Sequence, residues 1–404
     1  MVRKRYCAAI VAVVSSAALV LAGCSQSSQQ EASSDSAGGV EIKLSGDYNP
    51  LERDQIKDGG ELTLPIGEVT EQSNASHGNA VVDTNTLWYW YNPQLMLADG
   101  DGTAHPNPAY LTNVSAEEVD GKTVVTYDLN PDAVFNDGTA FDWHVFENTW
   151  KMSNGENPDV SINATDGYDL IESVTAGESD KQVVVTFKQP YPWWQALFSV
   201  PLHPAVADAQ TFNEGYLKNP HPEWGAGPYK VDQFDYNSGT VSFVPNEKWW
   251  GEKPKLDKVT YRQMESQATI NAYQAGEVDA VEITNKDHLA VAKTVKDTTL
   301  RGTLRPSNYL VTLNAKTPTL EDVKVREAVF TGINRETLAQ VRFNGMDYTE
   351  NLPGSFALFQ NQKGYQDNFG SLVTYDQDKA KQLLDEAGWA ESGDGIREKD
   401  GKKL

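Results

Sequence analysis

The chain has 404 residues, of which 34 are basic and 57 acidic, and its formal net charge is −23. This acidic excess argues against nucleic acid as a partner and against a basic patch that would hold anionic lipid. The length is enough for two or more domains, at about 150 residues for each.

The first 23 residues have the pattern of an export signal. Three basic residues at positions 3–5 precede an apolar run that is too short for a transmembrane helix, and Leu21-Ala22-Gly23-Cys24 closes the run. These four residues resemble the lipobox of bacterial lipoproteins, in which the cysteine is acylated and becomes the first residue of the mature chain. The alternative is an ordinary secretory signal with a cysteine near its cleavage site. The resemblance implies an extracytoplasmic protein that is lipid-anchored through Cys24 to the cell membrane, at the cell surface or on the periplasmic side.

Residues 24–58 are predicted to be a flexible tether. Cys7 lies inside the signal, so Cys24 is the only cysteine of the mature chain, which therefore has no internal disulfide. Residues 25–39 are mostly Ser, Gln and Gly, the composition of a flexible linker. We expect ordered structure to begin at Gly60.

Beyond the tether the hydrophobic pattern predicts alternating strands and helices. A half-buried strand is predicted at Glu61–Ile66, and buried strands are predicted at Ala280–Ile283 and Tyr309–Leu313. Further strands are predicted at Thr123–Leu129, Gln182–Phe187, Tyr229–Phe234, Thr240–Val244 and Leu256–Arg262. Helices are predicted at Trp143–Met152, after a capping-box spacing from Thr139 to Asp142, and after Asp322 and Asp376, with Gly388 as a left-handed C-terminal residue. This mixture predicts an α/β protein with more than one lobe.

The sequence contains no recognisable catalytic or metal-binding motif. It lacks a Gly-x-Ser-x-Gly elbow and a Gly-x-x-x-x-Gly-Lys phosphate loop. The six histidines are scattered and form no i,i+4 metal-binding pair, and His105, His203 and His221 precede proline, which predicts turns. We therefore expect a protein without enzymatic activity, cofactor or metal.

Six short motifs occur in an order and spacing that resemble the family 5 extracellular solute-binding proteins of bacterial ABC importers. This family includes oligopeptide- and dipeptide-binding proteins. The motifs are Phe135–Thr139 followed by Asp142, Gly225–Tyr229 with Ala226 in place of the usual Thr, Asn246–Trp250, Gly276–Asp279, Asn314 with Asp322–Ala328, and Tyr375–Trp389. The resemblance extends from about Gly60 to the end of the chain. Most of these residues are expected to serve the fold, and Trp249 and Trp250 are expected to pack a domain.

The resemblance implies an α/β, two-lobed periplasmic-binding-protein-like fold of type II, with an extra domain and a ligand cleft that closes by a hinge. Lobe one is expected at residues 59–97 and 199–303, the extra domain at 98–198, and the start of lobe two at 304–404. Family members continue for something over a hundred residues, so we expect the second lobe to be incomplete. The acidic residue that pairs with the ligand α-amine in peptide-binding members has no counterpart in these residues.

The resemblance also implies ligand contacts in three segments. They are the loop after the first strand (Glu71, Gln72 and Asn74, with Ser73), the segment after Gly-x-x-Asp (Thr284 and Asn285), and the crossover into lobe two (Asn308 and Tyr309). Amide side chains can bind a peptide main chain whatever its side chains are, and Tyr309 offers a flat apolar face. The alternative is that these are ordinary polar loop residues. The aromatic run Trp88–Tyr91 could line the cleft or pack into the core.

The function that the resemblance implies is capture of a peptide outside the membrane and its delivery to an ABC permease, whose ATPase supplies the energy. The protein is expected to be a monomer. Relatives also take up nickel complexes, haem or oligosaccharides, so a ligand other than a peptide remains an alternative. A sensory or adhesive lipoprotein is a further alternative, and an extracellular hydrolase is disfavoured by the lack of a catalytic motif.

Overall fold

The computed structural model describes residues 42–43, 46, 48–305, 307–346, 351–393 and 395–404. None of the helices in these ranges combines the length and the hydrophobicity that a membrane-spanning helix requires. Cys24 and the predicted export signal lie outside the described residues.

The secondary structure is mixed along the whole described chain. The strands are β1 (Ile42–Lys43), β2 (Glu61–Ile66), β3 (Met96–Ala98), β4 (Ala104–Pro106), β5 (Leu111–Val119), β6 (Lys122–Leu129), β7 (Ile171–Ala176), β8 (Gln182–Phe187), β9 (Tyr229–Asp235), β10 (Thr240–Pro245), β11 (Lys258–Gln263), β12 (Gly302–Thr303), β13 (Ala390–Glu391), β14 (Arg397–Lys399) and β15 (Lys402–Lys403). The α-helices are α1 (Val82–Tyr91), α2 (Trp143–Ser153), α3 (Ala209–Glu214), α4 (Ser266–Gln274), α5 (Lys286–Ala292), α6 (Val323–Gly332), α7 (Arg335–Arg342) and α8 (Gln377–Glu386). Short 3-10 helices lie at Arg53–Gln55, Trp194–Ala196 and Pro222–Trp224.

One four-stranded sheet has the order β2-β11-β10-β9. β2 and β11 are parallel, and β10 is antiparallel to both of its neighbours. Alternate residues such as Val241, Phe243 and Val259 are fully buried against α1, where Leu87 and Tyr91 complete the core. The strands predicted at these positions are confirmed, with β11 beginning two residues later than predicted.

A second four-stranded sheet has the order β5-β6-β8-β7 and is antiparallel throughout. Its buried face, including Val125, Val183 and Val185, packs on the apolar face of α2. The side chain of Asp142 caps α2 by accepting a hydrogen bond from the His144 amide at 3.0 Å. The predicted helix is therefore confirmed, and Asp142 rather than Thr139 is its capping residue.

The motif residues that the sequence singled out join these two sheets. The carbonyl of Tyr91 at the end of α1 accepts hydrogen bonds from the amides of Ala226 and Gly227, at 3.0 and 2.9 Å. The buried side chain of Asn246 donates to Asn136 Oδ1 at 2.9 Å and to Gly227 O at 2.8 Å. The motifs thus position the Phe135–Thr139 turn of the predicted extra domain against predicted lobe one. The boundaries of these domains remain a prediction.

Trp249 and Trp250 pack against the core of the antiparallel sheet, as expected. The indole of Trp250 donates to Ala109 O at 2.7 Å, so it fills space and also satisfies a backbone acceptor. Among the histidines before proline, His105 lies in β4 rather than in a turn.

Ordered contacts begin earlier than the sequence predicts. β1 pairs with β12 in parallel, and Asp58 forms an ion pair with Lys255 at 2.8 Å. Arg53 lies 2.7 Å from Glu252 in a second ion pair. The polar composition of this stretch does not predict these contacts, because the partners lie about 200 residues (Lys255, Glu252) or 260 residues (β12) further along the chain. The described part of the predicted tether, from β1 to Asp58, is therefore attached to the rest of the fold.

The C-terminal part contains the capped helices that the sequence predicts. Asp322 accepts from Lys324 N at 2.9 Å at the start of α6, and Asp376 accepts from Lys379 N at 2.8 Å at the start of α8. Gly388 follows α8 with a φ of +84°, the left-handed conformation expected there. The buried residues of α6 and α8 pack on each other.

Two predicted strands are wrong. Residues 280–283 and 309–313 form no strand, and Tyr309, Leu310 and Val311 are exposed by 84%, 60% and 54%. A run of β-branched and aromatic residues becomes a strand only where a neighbour accepts its backbone hydrogen bonds, and no described strand pairs with either segment. Asp279, just before the first of them, instead exchanges hydrogen bonds with Thr63 in β2.

His203 should make the stability of this fold depend on pH. Its ring is buried between Phe135 and Trp224, and Nε2 lies 3.3 Å from Asp137 Oδ2. Burial lowers the pKa of His203 below its ordinary value, although the charge of Asp137 opposes the shift. Below about pH 6.5 the unfolded chain then binds a proton that the folded chain binds more weakly, so folding becomes less favourable as the pH falls.

We therefore expect the free energy of unfolding to decrease between about pH 7.5 and about pH 5.5, and His203→Gln to make this decrease shallower. Urea denaturation of both proteins across that range measures the effect. Parallel pH profiles for wild type and variant would show that His203 does not contribute.

Candidate ligand-binding site

The loop between β2 and α1 contains the first predicted contact segment. Gln72, Ser73 and Asn74 are all buried, although their side chains are polar. Gln72 Nε2 donates to Asn213 O and Asn74 Nδ2 to Phe212 O, both at 2.9 Å. These bonds fasten the loop to α3.

The rest of this loop is anchored in the same way. Ser73 Oγ lies 2.9 Å from Tyr236 Oη beside the β9–β10 turn. Glu71 is exposed and forms an ion pair with Lys218 at 2.8 Å. Gln72 and Asn74 were predicted to bind ligand, and the structure gives their side chains the role of holding the loop. Direct contact of any of these residues with ligand remains a prediction.

The aromatic run on α1 belongs mostly to the core. Trp88 and Tyr91 are buried, and the indole of Trp90 donates to Tyr261 Oη at 2.9 Å. Tyr89 is 44% exposed. Since consecutive helix positions point in directions about 100° apart, one aromatic of such a run can face outward while its neighbours pack inward.

The second and third predicted segments meet at one arginine. Asn285 caps α5 by accepting from His288 N at 2.9 Å. Next to it, Thr284 O accepts from Arg342 Nη1 at 2.7 Å, and Tyr309 Oη accepts from Arg342 Nη2 at 3.3 Å. Asn308 is half-buried beside Tyr309. Arg342, the last residue of α7, thus joins two segments of the chain. Thr284 in one and Tyr309 in the other are 25 residues apart in the sequence.

Arg342 could not be predicted from the sequence, because it lies outside every motif and its partners are a carbonyl and a phenol far away in the chain. Within the described part of the chain, Glu71–Asn74 form no hydrogen bond or ion pair with Arg342, Thr284 or Tyr309. Nowhere among the residues that the structure describes do three His, Cys, Asp or Glu side chains cluster in a way that could hold a metal ion.

Asn74 offers a test of how the first loop is held. Replacing it by alanine leaves Phe212 O and Ser76 N without their buried partner, so Asn74→Ala should lower the free energy of unfolding by about 2 kcal/mol. Asn79→Ala, at an exposed position in the same loop, should cost less than about 0.5 kcal/mol. Urea denaturation measures both. Equal stability of the two variants would contradict the role assigned to Asn74.

Comparison with known proteins places the chain among binding proteins. The model of the family "Bacterial extracellular solute-binding proteins, family 5 Middle" matches residues 105–404. The oligopeptide-binding protein OppA of Mycobacterium tuberculosis is 33% identical over 399 residues, which cover 96% of this chain and 66% of the relative. The chain therefore spans about two thirds of the length of this relative.

Two solved structures resemble this fold. The periplasmic EDTA-binding protein EppA superposes with a TM-score of 0.71 and 29% identity, covering 91% of this chain and 68% of the other. The oligopeptide-binding protein AppA from Bacillus subtilis, solved with a nonapeptide, superposes with a TM-score of 0.63 and 22% identity, covering 86% and 68%. These likenesses confirm the predicted α/β, periplasmic-binding-protein-like fold.

Proposed function

Because the chain belongs to the bacterial extracellular solute-binding proteins of family 5, we propose that it captures peptides outside the membrane and delivers them to an ABC permease. The observation that carries the proposal is the 33% identity to OppA, which extends over 96% of this chain. In this account the protein makes and breaks no bond, and the transport energy comes from the ATPase of the permease.

The geometry suits a binding role. The β2–α1 loop is fixed by buried amide hydrogen bonds, and the Thr284 and Tyr309 segments are fixed by Arg342. Segments that are already held in place lose little conformational freedom when they meet a ligand, which favours affinity. We propose that the ligand lies between lobe one (59–97 and 199–303) and lobe two, which begins at 304, with the extra domain at 98–198.

We further propose that Cys24 carries lipid and holds the protein, as a monomer, at the outer side of the cell membrane. The sequence before β1 supports this. About 17 residues separate Cys24 from β1, and a flexible segment of that length has a mean span of roughly 20–25 Å. A tether of this kind raises the local concentration of the binding protein near its permease.

A second candidate ligand is a small aminocarboxylate chelate. It is favoured by the likeness to the protein named for EDTA binding, whose structure superposes with a higher TM-score than that of AppA. A chelate and a peptide both carry carboxylates, but they differ in length and in main-chain amides.

The test is isothermal titration of the mature full-length protein with a synthetic pool of random pentapeptides and, separately, with EDTA. We expect peptide binding in the micromolar range or tighter, with the peptides recovered intact by mass spectrometry. Cleaved peptides would contradict a binding-only role. Binding of EDTA without any peptide binding would replace the first candidate by the second.

A further inference from the structure

We propose that Arg342 is an anion-binding residue of the ligand site and selects ligands that carry a free carboxylate. This inference rests on the proposed capture of a solute and goes further by assigning a chemical group of the ligand to one side chain.

The contacts of Arg342 orient its guanidinium without neutralising it. Both hydrogen-bond acceptors are uncharged, the carbonyl of Thr284 at 2.7 Å and the hydroxyl of Tyr309 at 3.3 Å. The guanidinium carbon also lies 5.7 Å from the ring centroids of Tyr309 and Phe343, where the aromatic faces attract a cation. The side chain is held in place with its full positive charge.

Several other arginines of the chain are neutralised by a nearby carboxylate. Arg262 and Arg305 each have a carboxylate within 3.3 Å. Among the ion pairs of the described residues, Arg342 has none, although the chain carries a net charge of −23. Arg326 and Arg335 also donate to carbonyls and form no ion pair within the described residues, but their partners are near in the chain: Leu320 and Glu321 for Arg326, and Pro353, 18 residues away, for Arg335. Arg342 differs because its partners lie 58 and 33 residues away, in two predicted ligand segments.

The N–H donors of Arg342 that remain unused determine which chemical group of a ligand it can bind. A guanidinium has five N–H donors in a planar fork, and two of them are used, so the others can meet carboxylate oxygens. Such charge-assisted bonds are about twice as strong as neutral ones. The ring of Tyr309, 84% exposed, adds an apolar surface beside the charge. The C-terminal carboxylate of a peptide and the carboxylates of EDTA both satisfy this chemistry.

A purely structural role for Arg342 makes a different prediction. If the arginine only ties α7 to the two segments, its loss weakens the binding of every ligand by the same factor. If it binds a carboxylate, its loss weakens only ligands that have one. The comparison therefore needs ligands that differ in this group alone.

The experiment uses the mature full-length protein, its Arg342→Gln variant, and Arg262→Gln as a matched control that removes a charge already paired with Glu277. The probes are one pool of random pentapeptides prepared as free acids and as C-terminal amides, and EDTA. We expect wild type and Arg262→Gln to bind the free acids about tenfold or more tightly than the amides, which is the scale of one hydrogen bond to a charged group. Arg342→Gln should bind both pools with the weaker affinity.

Several results would decide the matter. Equal affinity of wild type for acids and amides, or an equal loss for both pools in Arg342→Gln, would contradict the role of Arg342 while leaving peptide capture intact. If only EDTA binds, and Arg342→Gln weakens it by about tenfold or more, the arginine has the assigned role and the ligand is not a peptide. Failure of wild type to bind any of the probes would count against both the proposed function and this inference.

Discussion

Gly227→Ala is expected to lower the free energy of unfolding by about 3 kcal/mol, the upper end of the usual cost of overpacking. A Cβ atom at this position would lie 2.8 Å from the carbonyl carbon and 2.9 Å from the Cα of Tyr91. Both are backbone atoms at the end of α1, so no side-chain rotation can relieve the clash. The backbone must move, and the hydrogen bond from Gly227 N to Tyr91 O, now 2.9 Å long, must lengthen with it.

Urea denaturation followed by tryptophan fluorescence measures this effect. The matched control is Gly393→Ala, because a Cβ there meets nothing within 4 Å. The control should change stability by less than about 0.5 kcal/mol. A Gly227→Ala protein as stable as the control would contradict the close packing of the Gly225–Tyr229 motif on α1.

Asn246→Ala is expected to have an effect of similar size, about 3 kcal/mol, because it removes three hydrogen bonds from a buried site. The side chain donates to Asn136 Oδ1 and Gly227 O and accepts from Lys248 N, at 2.9, 2.8 and 3.0 Å. Removing it leaves buried groups of both sheet regions without a partner. The loss of stability should therefore appear in the unfolding of both four-stranded sheets, β5-β6-β8-β7 and β2-β11-β10-β9.

Asn237→Ala, at an exposed turn position, is the control and should be near neutral. A double-mutant cycle with Asn136→Ala separates the interaction energy of the direct Asn246–Asn136 contact from the other effects of the two substitutions. If the two single changes add without coupling, the amide–amide bond between Asn246 and Asn136 does not join the two regions as described here.

The parts of the fold that were predictable are those that local sequence determines. The alternating residues of β6, β8 and β10 identified strands, and Asp322 and Asp376 marked helix starts, because a strand face and a cap depend on neighbours a few residues away. Gly138 and Gly227 lie in two of the motifs that identified the family, and each has a backbone role: Gly138 has a φ of +93°, and the backbone of Tyr91 closely approaches Gly227.

The parts that were missed depend on partners far away in the sequence. The partners of the Gln72 and Asn74 side chains could not be predicted from the sequence, because they lie in α3, about 140 residues away. Ligand contact by these two residues, which the family resemblance implies, remains a prediction. Arg342 has no local signal at all. Tyr309–Leu313 has the composition of a buried strand, yet composition cannot supply the neighbouring strand that pairing requires.

Native mass spectrometry of the full-length protein, purified without denaturant, tests the central claim most directly. Our account predicts a population that carries peptides of several residues, which are released on activation, identified by fragmentation, and not shortened on prolonged incubation. A bound glycan or metal chelate, with no peptide present and none able to displace it, would contradict the claim.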